Sequence, residues 1–480
     1  MYKRGHPVSI LSYMYKYLFL LLIPFIRGLI TYRGGFYSWL KGTWLDILVV
    51  IFITLISVIR WMSYYYCYDI NGLHVKKGVF LKFDIFIRPE EISTITAEQS
   101  LFLRTFNAVR ISAVTDAEFF WLKTFTLTVP YSDADFILDT REQSCSDKNY
   151  LRRTYHPGFF HVAFLSAVLS NTLTGVLFFS AVINKIGVLF GEDFRSRLVG
   201  TLTETAEFLA FGIPPLSALI SLIILAGWFI SFVKNVLRHN GFKITRKNCL
   251  LYIKSGLITT RHFSCKVNRI NFVDIRQSII SKLFHLHIVL IRCIGYGKRK
   301  DNDSVLIPAA STKSLSRQLE DILPEFKIKK RQLKPKPGAV IRYCLIPFLF
   351  AVILPLTANI MADFFKNWSQ TIIFAGFILI LPCIWLFLLN LINFFTTGIA
   401  CGSNNITIRY SYRFCLHTVI IPNDRISLIG VSQNIFQKSS GGCDLTIYSY
   451  NDIRTTHKIK SFNLKEIVNL IDSIKIRVRE

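Results

Sequence analysis

Basic side chains dominate the chemistry this sequence could perform. Lys243, Arg246, Lys247, Lys254 and Arg261 fall on what read as the first strands of residues 234–342, and Lys298, Arg299 and Lys300 form a cationic loop further on. A second run (Lys327, Lys329, Lys330, Arg331, Lys334 and Lys336) leads back to an apolar stretch. Such groups hold anions: a lipid phosphate, an acidic protein surface or a nucleic acid. Residues 234–342 carry 24 basic against six acidic side chains, a net of +18, whereas residues 63–158 net −1 and residues 396–480 net +5. No aromatic–basic RNA motif accompanies the charge, so nucleic acid is not the expected partner. The first eight residues named are therefore the candidates for binding anionic lipid or a protein partner. The 327–336 run is accounted for by the bias of basic residues toward the cytoplasmic ends of membrane spans.

Other chemistry is thin. His285 and His287 would share one face of a strand as a metal pair, but no third ligand stands at a readable spacing. A surface strand is the better reading. Glu98, Asp274 and Asp424 are single carboxylates without visible partners. No phosphate-binding glycine loop, nucleotide fingerprint, zinc-protease or serine-hydrolase signature occurs. The expectation is a protein without catalysis, cofactor or metal. Ten cysteines stand singly with no CxxC pair and read as reduced, apolar-like residues.

These residues must be held by 480 residues that are 51% hydrophobic and only 18% charged, with a net charge of +27. Disorder and an ordinary neutral globule are both excluded. About 20 mostly apolar residues cross a bilayer, and six stretches qualify: Val8–Ile30, Leu45–Met62, Phe159–Ile183, Phe208–Val233, Ala339–Met361 and Ile372–Phe395. Lys16 and Arg27 interrupt the first and must snorkel. Pro214-Pro215 should delay or kink the helix of the fourth. All but two of the 27 net charges fall outside residues 17–62, 159–233 and 343–395, the bulk of the span pairs and their connectors. The basic residues nearest the spans (Lys3, Arg4, Lys234, Arg238, Lys334, Lys336 and Arg342) agree in sign. Both termini and all three polar segments are expected to be cytoplasmic.

The polar segments are one module written three times. Ile92-Ser-Thr-Ile95 runs to Gln99-Ser100, Ile270-Asn-Phe-Val273 to Gln277-Ser278, and Ile426-Ser-Leu-Ile429 to Gln433-Asn434. An apolar residue follows each time (Leu101, Ile279, Ile435). His6-Pro7, His156-Pro157 and Lys336-Pro337 each precede a span pair, where proline suits a helix start. Self-similarity of this kind dictates architecture. Within each copy, short alternating runs separated by turns such as Asn71-Gly72 predict strands. A closing amphipathic helix follows, clearest from Asn463 and from Ser314.

Arg4-Gly-His6-Pro7, Arg60-Trp61 and the run from Tyr64 through Asn71-Gly72 to Lys77-Gly78-Val79, followed by Ile92, Ile95 and Gln99, resemble the YdbT-like bacterial membrane proteins. That family carries membrane-flanked, pleckstrin-homology-like (PH-like) domains. The resemblance covers nearly the whole chain as span pair plus module. It implies a PH-like barrel closed by a C-terminal helix, residence in the bacterial cytoplasmic membrane, and a smaller single-module relative as partner. It brings no catalytic motif. The expected architecture is six transmembrane helices in three hairpins with three cytoplasmic β-rich PH-like barrels. The boundaries are 1–62 (spans), 63–150, 151–233 (spans), 234–326, 327–395 (basic linker and spans) and 396–480. The expected role is a scaffold or sensor in envelope homeostasis or resistance to membrane-active agents; the alternative is a transporter or lipid-handling protein.

Overall fold

The computed structural model describes residues 2–17, 19, 36–69, 72–79, 81–89, 91–115, 124–135, 137, 153–169, 193, 196–197, 200–201, 215–293, 305–412, 415–449 and 455–473. Apolar segments form the long helices: α1 (Ser9–Lys16), α2 (Phe36–Met62), α4 (Phe159–Leu169), α5 (Pro215–His239), α8 (Val340–Phe364) and α9 (Ser369–Thr396). Among the described residues three stretches are long and apolar enough to cross a membrane: Leu222–His239, Pro337–Phe364 and Lys366–Thr396. The expected six are thus not all met. Much of Val8–Ile30, Phe159–Ile183 and Phe208–Val233 lies outside the described residues, and the described apolar part of α2, Ile47–Met62, is shorter than a full crossing. Helix α5 starts on Pro215, whose missing N–H costs nothing at a first helical position. Eight of the nine described cysteines are free; Cys249 is disulfide-bonded, contrary to expectation.

Among the described residues the polar segments build four antiparallel sheets from twenty strands. The first module opens with β2 (Tyr65–Asp69), β3 (Gly72–Lys77) and β4 (Phe83–Ile87), joined by β1 (Lys3–Arg4). It continues with β5 (Ile92–Gln99), β6 (Ala108–Thr115) and β7 (Thr124–Pro130). The two halves face each other: Tyr66, Leu73, Val75 and Ile87 pack with Ile95, Ile111, Leu127 and Val129 in one buried cluster. The third module repeats this with β15 (Gly398–Cys401), β16 (Asn405–Tyr412) and β17 (Cys415–Pro422) against β18 (Ile426–Ser432), β19 (Gly442–Ser449) and β20 (Thr455–Asn463). Ile406, Val419, Leu445, Ile459 and Phe462 are its centre, and Ile467 of α11 (Leu464–Ser473) joins them.

These are not closed barrels. The middle module consists of β8 (Arg153–Tyr155), β9 (Lys243–Lys247), β10 (Leu250–Ser255), β11 (Thr260–Lys266), β12 (Ile270–Ser278), β13 (Leu286–Cys293), β14 (Val305–Ser311) and α7 (Thr312–Ile322). Its first half extends the sheet of module one, through β11 pairing with β5 from Thr260↔Gln99 to Cys265↔Thr94. Its second half extends the sheet of module three, through β12 pairing with β17 from Ser278↔Cys415 to Val273↔Ile420. The sheets therefore run open, in the orders β7-β6-β5-β11-β10-β9-β8 and β14-β13-β12-β17-β16-β15. Two compact units result, one of residues 1–154 and 244–269, the other of residues 155–243 and 270–480.

The repeated glutamine is a staple. The side-chain amides of Gln99, Gln277 and Gln433 donate to the carbonyls of Ala108, Leu286 and Gly442 at 3.3, 3.3 and 2.6 Å, each nine residues on. Between them lie the short helices α3 (Leu101–Thr105), α6 (Ile279–Leu283) and α10 (Ile435–Ser440). Ser100 and Ser278 cap the first two by accepting from Leu103 N and Ser281 N, while Gln437 accepts from the Asn434 N–H in a capping box. Each helix ends on a left-handed residue: Asn107, His285 and Gly441, with φ of 51°, 53° and 61°. The outer apolar residues of the signature, Ile92 and Ile270, are fully buried. Gly441→Val places a β-branched side chain in that conformation and should cost about 1–2 kcal/mol, read as a lowered midpoint in denaturant unfolding of the detergent-solubilised chain.

Candidate membrane-interface site

Of the eight basic residues of the middle module, the five that the structure describes do not form one cluster. Arg246 and Lys247 close β9 at the 248–249 turn; Arg246 is buried, its Nε donating to the Asn248 carbonyl at 3.3 Å, and Lys247 Nζ stands 5.7 Å from the Tyr252 ring centre. Lys254 and Arg261 lie at the other end of the β10–β11 hairpin, about 17 Å away for a strand of this length. Lys254 is exposed, whereas Arg261 Nε is 3.4 Å from Glu98 Oε1. Lys243 opens β9 just after α5. Lys298, Arg299 and Lys300 lie outside the described residues.

A site that sequence reasoning missed sits on the three short helices. Five residues after each repeated glutamine comes a basic residue, Arg104, Lys282 or Lys438, and two and three residues after it come two apolar ones. Leu101, Phe102 and Phe106 are about half exposed; Leu283, Phe284 and Ile435 are more open still. Within each compact unit, the hairpin tip of the following module lies beside the helix. Thr260 pairs with Gln99, so exposed Leu257 and Ile258 flank α3; Cys415 pairs with Ser278, so exposed Tyr412 flanks α6. The common spacing was visible in the sequence. Exposure was not, because an apolar pair behind a strand reads equally well as core.

At this end helices join the sheets: α8 and α9 in the second unit and α1 in the first. Lys336, just before α8, donates its backbone N–H to the Ser461 carbonyl at 3.0 Å, and its ammonium bonds the Ser440 carbonyl of α10. In the first turn of α8, Arg342 holds buried Asp444 with two bonds of 3.1 Å, and Asp444 accepts from Gln437 of α10 at 2.7 Å and from Ser461 N at 3.0 Å. Pro337–Phe364 has 28 residues and spans about 42 Å, against a hydrocarbon core of about 30 Å, so its first turn reaches the head-group layer. Gly398, two residues past α9, pairs with Arg409, and the hairpin then runs back three more residues to Tyr412, to the level of the last turn of α9. In the first unit, His6 N donates to the Thr128 carbonyl at 2.8 Å, and Arg110 of β6 bonds Ser12 of α1 at 3.2 Å. Ser12 and Arg342 both stand five residues after a proline, Pro7 and Pro337. Lys3 and Tyr66 also hold Asp133, and although burial opposes its charge, these two bonds keep the carboxyl below its usual range.

The carboxylates thus have structural partners. Asp274 on β12 accepts from Arg276 Nε at 2.8 Å and meets His417 Nδ1 at 2.9 Å; burial disfavours its charge, but His417 and Arg276 outweigh it and hold the carboxyl well below normal. Tyr410 stacks on His417 with centroids 5.3 Å apart, and its hydroxyl meets His457 Nδ1 at 2.8 Å, with Ser449 Oγ 3.2 Å from His457 Nε2. The residue types of this network could relay protons, yet Asp274, His417, Ser449 and His457 are all buried. The network ties β12 to the strands of the third module. His285 ends α6 with a positive φ, while His287 lies on β13 with Nε2 against Gln277 and Thr312. No group of three potential metal ligands occurs among the described residues.

Two outcomes follow from these networks. Asp444→Ala leaves Arg342 without its carboxylate and should cost about 3 kcal/mol, whereas replacing both residues with apolar ones recovers much of that loss in the same unfolding assay. Burial holds His457 down to about 4, below its unfolded value of about 6.5. The native state therefore binds fewer protons, and stability present above pH 6.5 is lost as pH falls toward 4, by up to about 3 kcal/mol. His457→Gln should flatten that stretch of the stability–pH curve.

The bacterial PH domain model matches three times, over residues 18–140, 198–325 and 347–477. The transmembrane protein YdbT of Bacillus subtilis (strain 168) is 21% identical over 342 residues, covering 67% of this chain and 68% of that protein. Three matches in step with three stapled modules, each joined to apolar helices, leave one assignment: the chain belongs to the bacterial PH domain family, as a membrane protein similar to YdbT.

Proposed function

We propose that this chain is a non-enzymatic scaffold or sensor of the bacterial cytoplasmic membrane. Its three modules stand on the cytoplasmic side and grip anionic phospholipid, or a smaller single-module protein of the same family, in the service of envelope homeostasis or resistance to membrane-active agents. The observation that carries the reading is the threefold foot: a capped short helix with exposed apolar residues and one basic residue, at the end of the sheet where membrane helices leave. Apolar side chains beside a cation suit the boundary of head groups and acyl chains, where the chain buries in lipid and the charge meets phosphate. Burial lowers the affinity of Lys282 for its proton, and an adjacent phosphate would offset that. Lys254 and Arg104, both exposed at the same end of one unit, supply further attraction. A transport pathway finds less support, since α8 carries charge only near its ends (Arg342, Asp363) and α9 carries none.

The full chain in phosphatidylcholine vesicles doped with a phospholipid bearing a photoreactive group near its ester tests the foot. Peptides carrying Leu101–Phe106 and Leu283–Phe284 should label comparably with Ile341–Leu345 of α8. Labelling no stronger than at the distant 403–405 turn would refute the foot. In vesicles mixed with phosphatidylglycerol, a basic residue near the surface is worth about 1 kcal/mol, so Arg104→Ala with Lys254→Ala should weaken co-purification of the anionic lipid by roughly 30-fold. Unchanged retention would remove the anionic-lipid reading.

A further inference from the structure

Four open sheets have eight edges, and an exposed edge is a row of unpaired N–H and C=O groups that a folded chain normally covers. Among the described residues, six of these edges are covered by parts of this chain or formed by its short capping strands. The His6 N–H bonds β7 at Thr128, and Lys336 does the same for β20 at Ser461. Helix α4 lies against β14. Leu333 exchanges two backbone bonds with Ile399 of β15, at 3.1 and 3.3 Å. The short strands β1 and β8 themselves cap β2 and β9. Among the described residues, β4 and β18 are the long edges left over.

Both leftovers are the halves of a junction that the chain builds twice internally. β18 occupies the place of β5 and β12: all three carry the signature, and all three show the same register shift near their start, at Ile92/Thr94, Ile270/Phe272 and Ile426/Leu428. β4 occupies the place of β11, since Lys77↔Phe83 and Ser255↔Arg261 flank equivalent tips that begin at Gly78 and Gly256, both with positive φ. In the two internal junctions six residue pairs bond edge to edge, and the residue before the glutamine, Glu98 or Arg276, faces Arg261 or His417. Covering an edge also covers its side chains. Thr94 and Phe272 are 2% and 3% exposed, while their counterpart Leu428 is 45% exposed; Ala97 and Ile275 are 5% and 3%, against 40% for Val431. On the other edge Phe83 and Phe86 are 48% and 44% exposed. Neither strand has a lysine, a proline or an inward charge to discourage pairing, and β18 carries no charge at all.

We propose that β18 of one molecule pairs with β4 of a second copy of the same chain, head to tail, in the register of the internal junctions. Ser432 then faces Phe83, Val431 faces Asp84 and Leu428 faces Ile87. The occupant is a second copy because one chain bears both complementary edges. The contact is heterologous, so repetition gives a closed ring or an open row in the membrane plane. It needs no lipid of particular charge and stands apart from the lipid reading above.

The test uses the purified full chain in phosphatidylcholine vesicles. Asp84→Cys with Val431→Cys, oxidised by copper phenanthroline, should give disulfide-linked dimers and a ladder above them. Ile85→Cys with Val431→Cys, whose side chains point to opposite faces, should give none beyond the single variants. Asp84 and Val431 are exposed, whereas Ile85 packs at the margin of the first module's core, so a second measurement checks the edge without oxidation or that substitution: Leu428→Lys with Val431→Lys should reduce the particle mass to that of one chain. A wild-type chain that is monomeric in the bilayer, or equal crosslinking of the two cysteine pairs, overturns the proposal.

Discussion

An antiparallel strand satisfies its backbone only when a neighbour lies along each side, and in this protein that requirement is met across module boundaries. A PH-like module brings two three-stranded halves, each with a long edge that its own partner half does not cover. β11 lies along β5 and β17 along β12, so each junction supplies backbone bonds that neither module makes alone. The placement of the short helices, the hairpin tips beside them and the Asp274–His417 contact all follow from these two junctions. Remove one, and a row of donors and acceptors is bare together with side chains that are otherwise sealed.

A second set of bonds ties the sheets to the helices α1 and α8, each within its own unit. Arg342–Asp444 and Arg110–Ser12 occupy equivalent positions, although one is a buried ion pair and the other a bond to a hydroxyl. The corresponding residues of the middle module are Val162 and Ile288, both buried and apolar. The geometry is kept while the chemistry changes, which suggests that the angle between first helix and last strand matters more than any single interaction. A tilt or shift of one of these helices is passed to its own sheet through these points.

Much of this was legible in the residues themselves. The Ile-x-x-Ile/Val run ending in Gln plus Ser or Asn marked the modules because each position acts locally, as core, staple or helix cap. Local roles leave local patterns. Barrel closure was not legible, because β9–β11 have the same alternation whether they fold over their own second half alone or also extend a neighbour. Strand partners some 140 to 160 residues apart are set by edges, not by period. The basic residues illustrate the same limit: Arg246 and Lys254 are eight apart in sequence but sit at opposite ends of a hairpin. The carboxylates Glu98 and Asp274 looked solitary because their partners, Arg261 and His417, are contributed by later modules. The count of spans is limited differently, since length and apolarity mark a stretch that can cross a bilayer without fixing where its helix begins.

The junctions also impose an order of events on synthesis. Thr260 meets Gln99 across 161 residues, and His417 meets Asp274 across 143. At about 5–20 residues per second, the first module waits roughly 8–30 s with its β5 edge uncovered, and β12 then waits nearly as long. During each interval an incomplete sheet stands at the ribosome with the same kind of edge that invites pairing with a stranger. Threading a pair of membrane helices between one edge and its partner lengthens the delay, so the rate of membrane insertion sets how long the nascent chain is vulnerable. A pause in translation after residue 115 would therefore be more hazardous to this protein than one after residue 269.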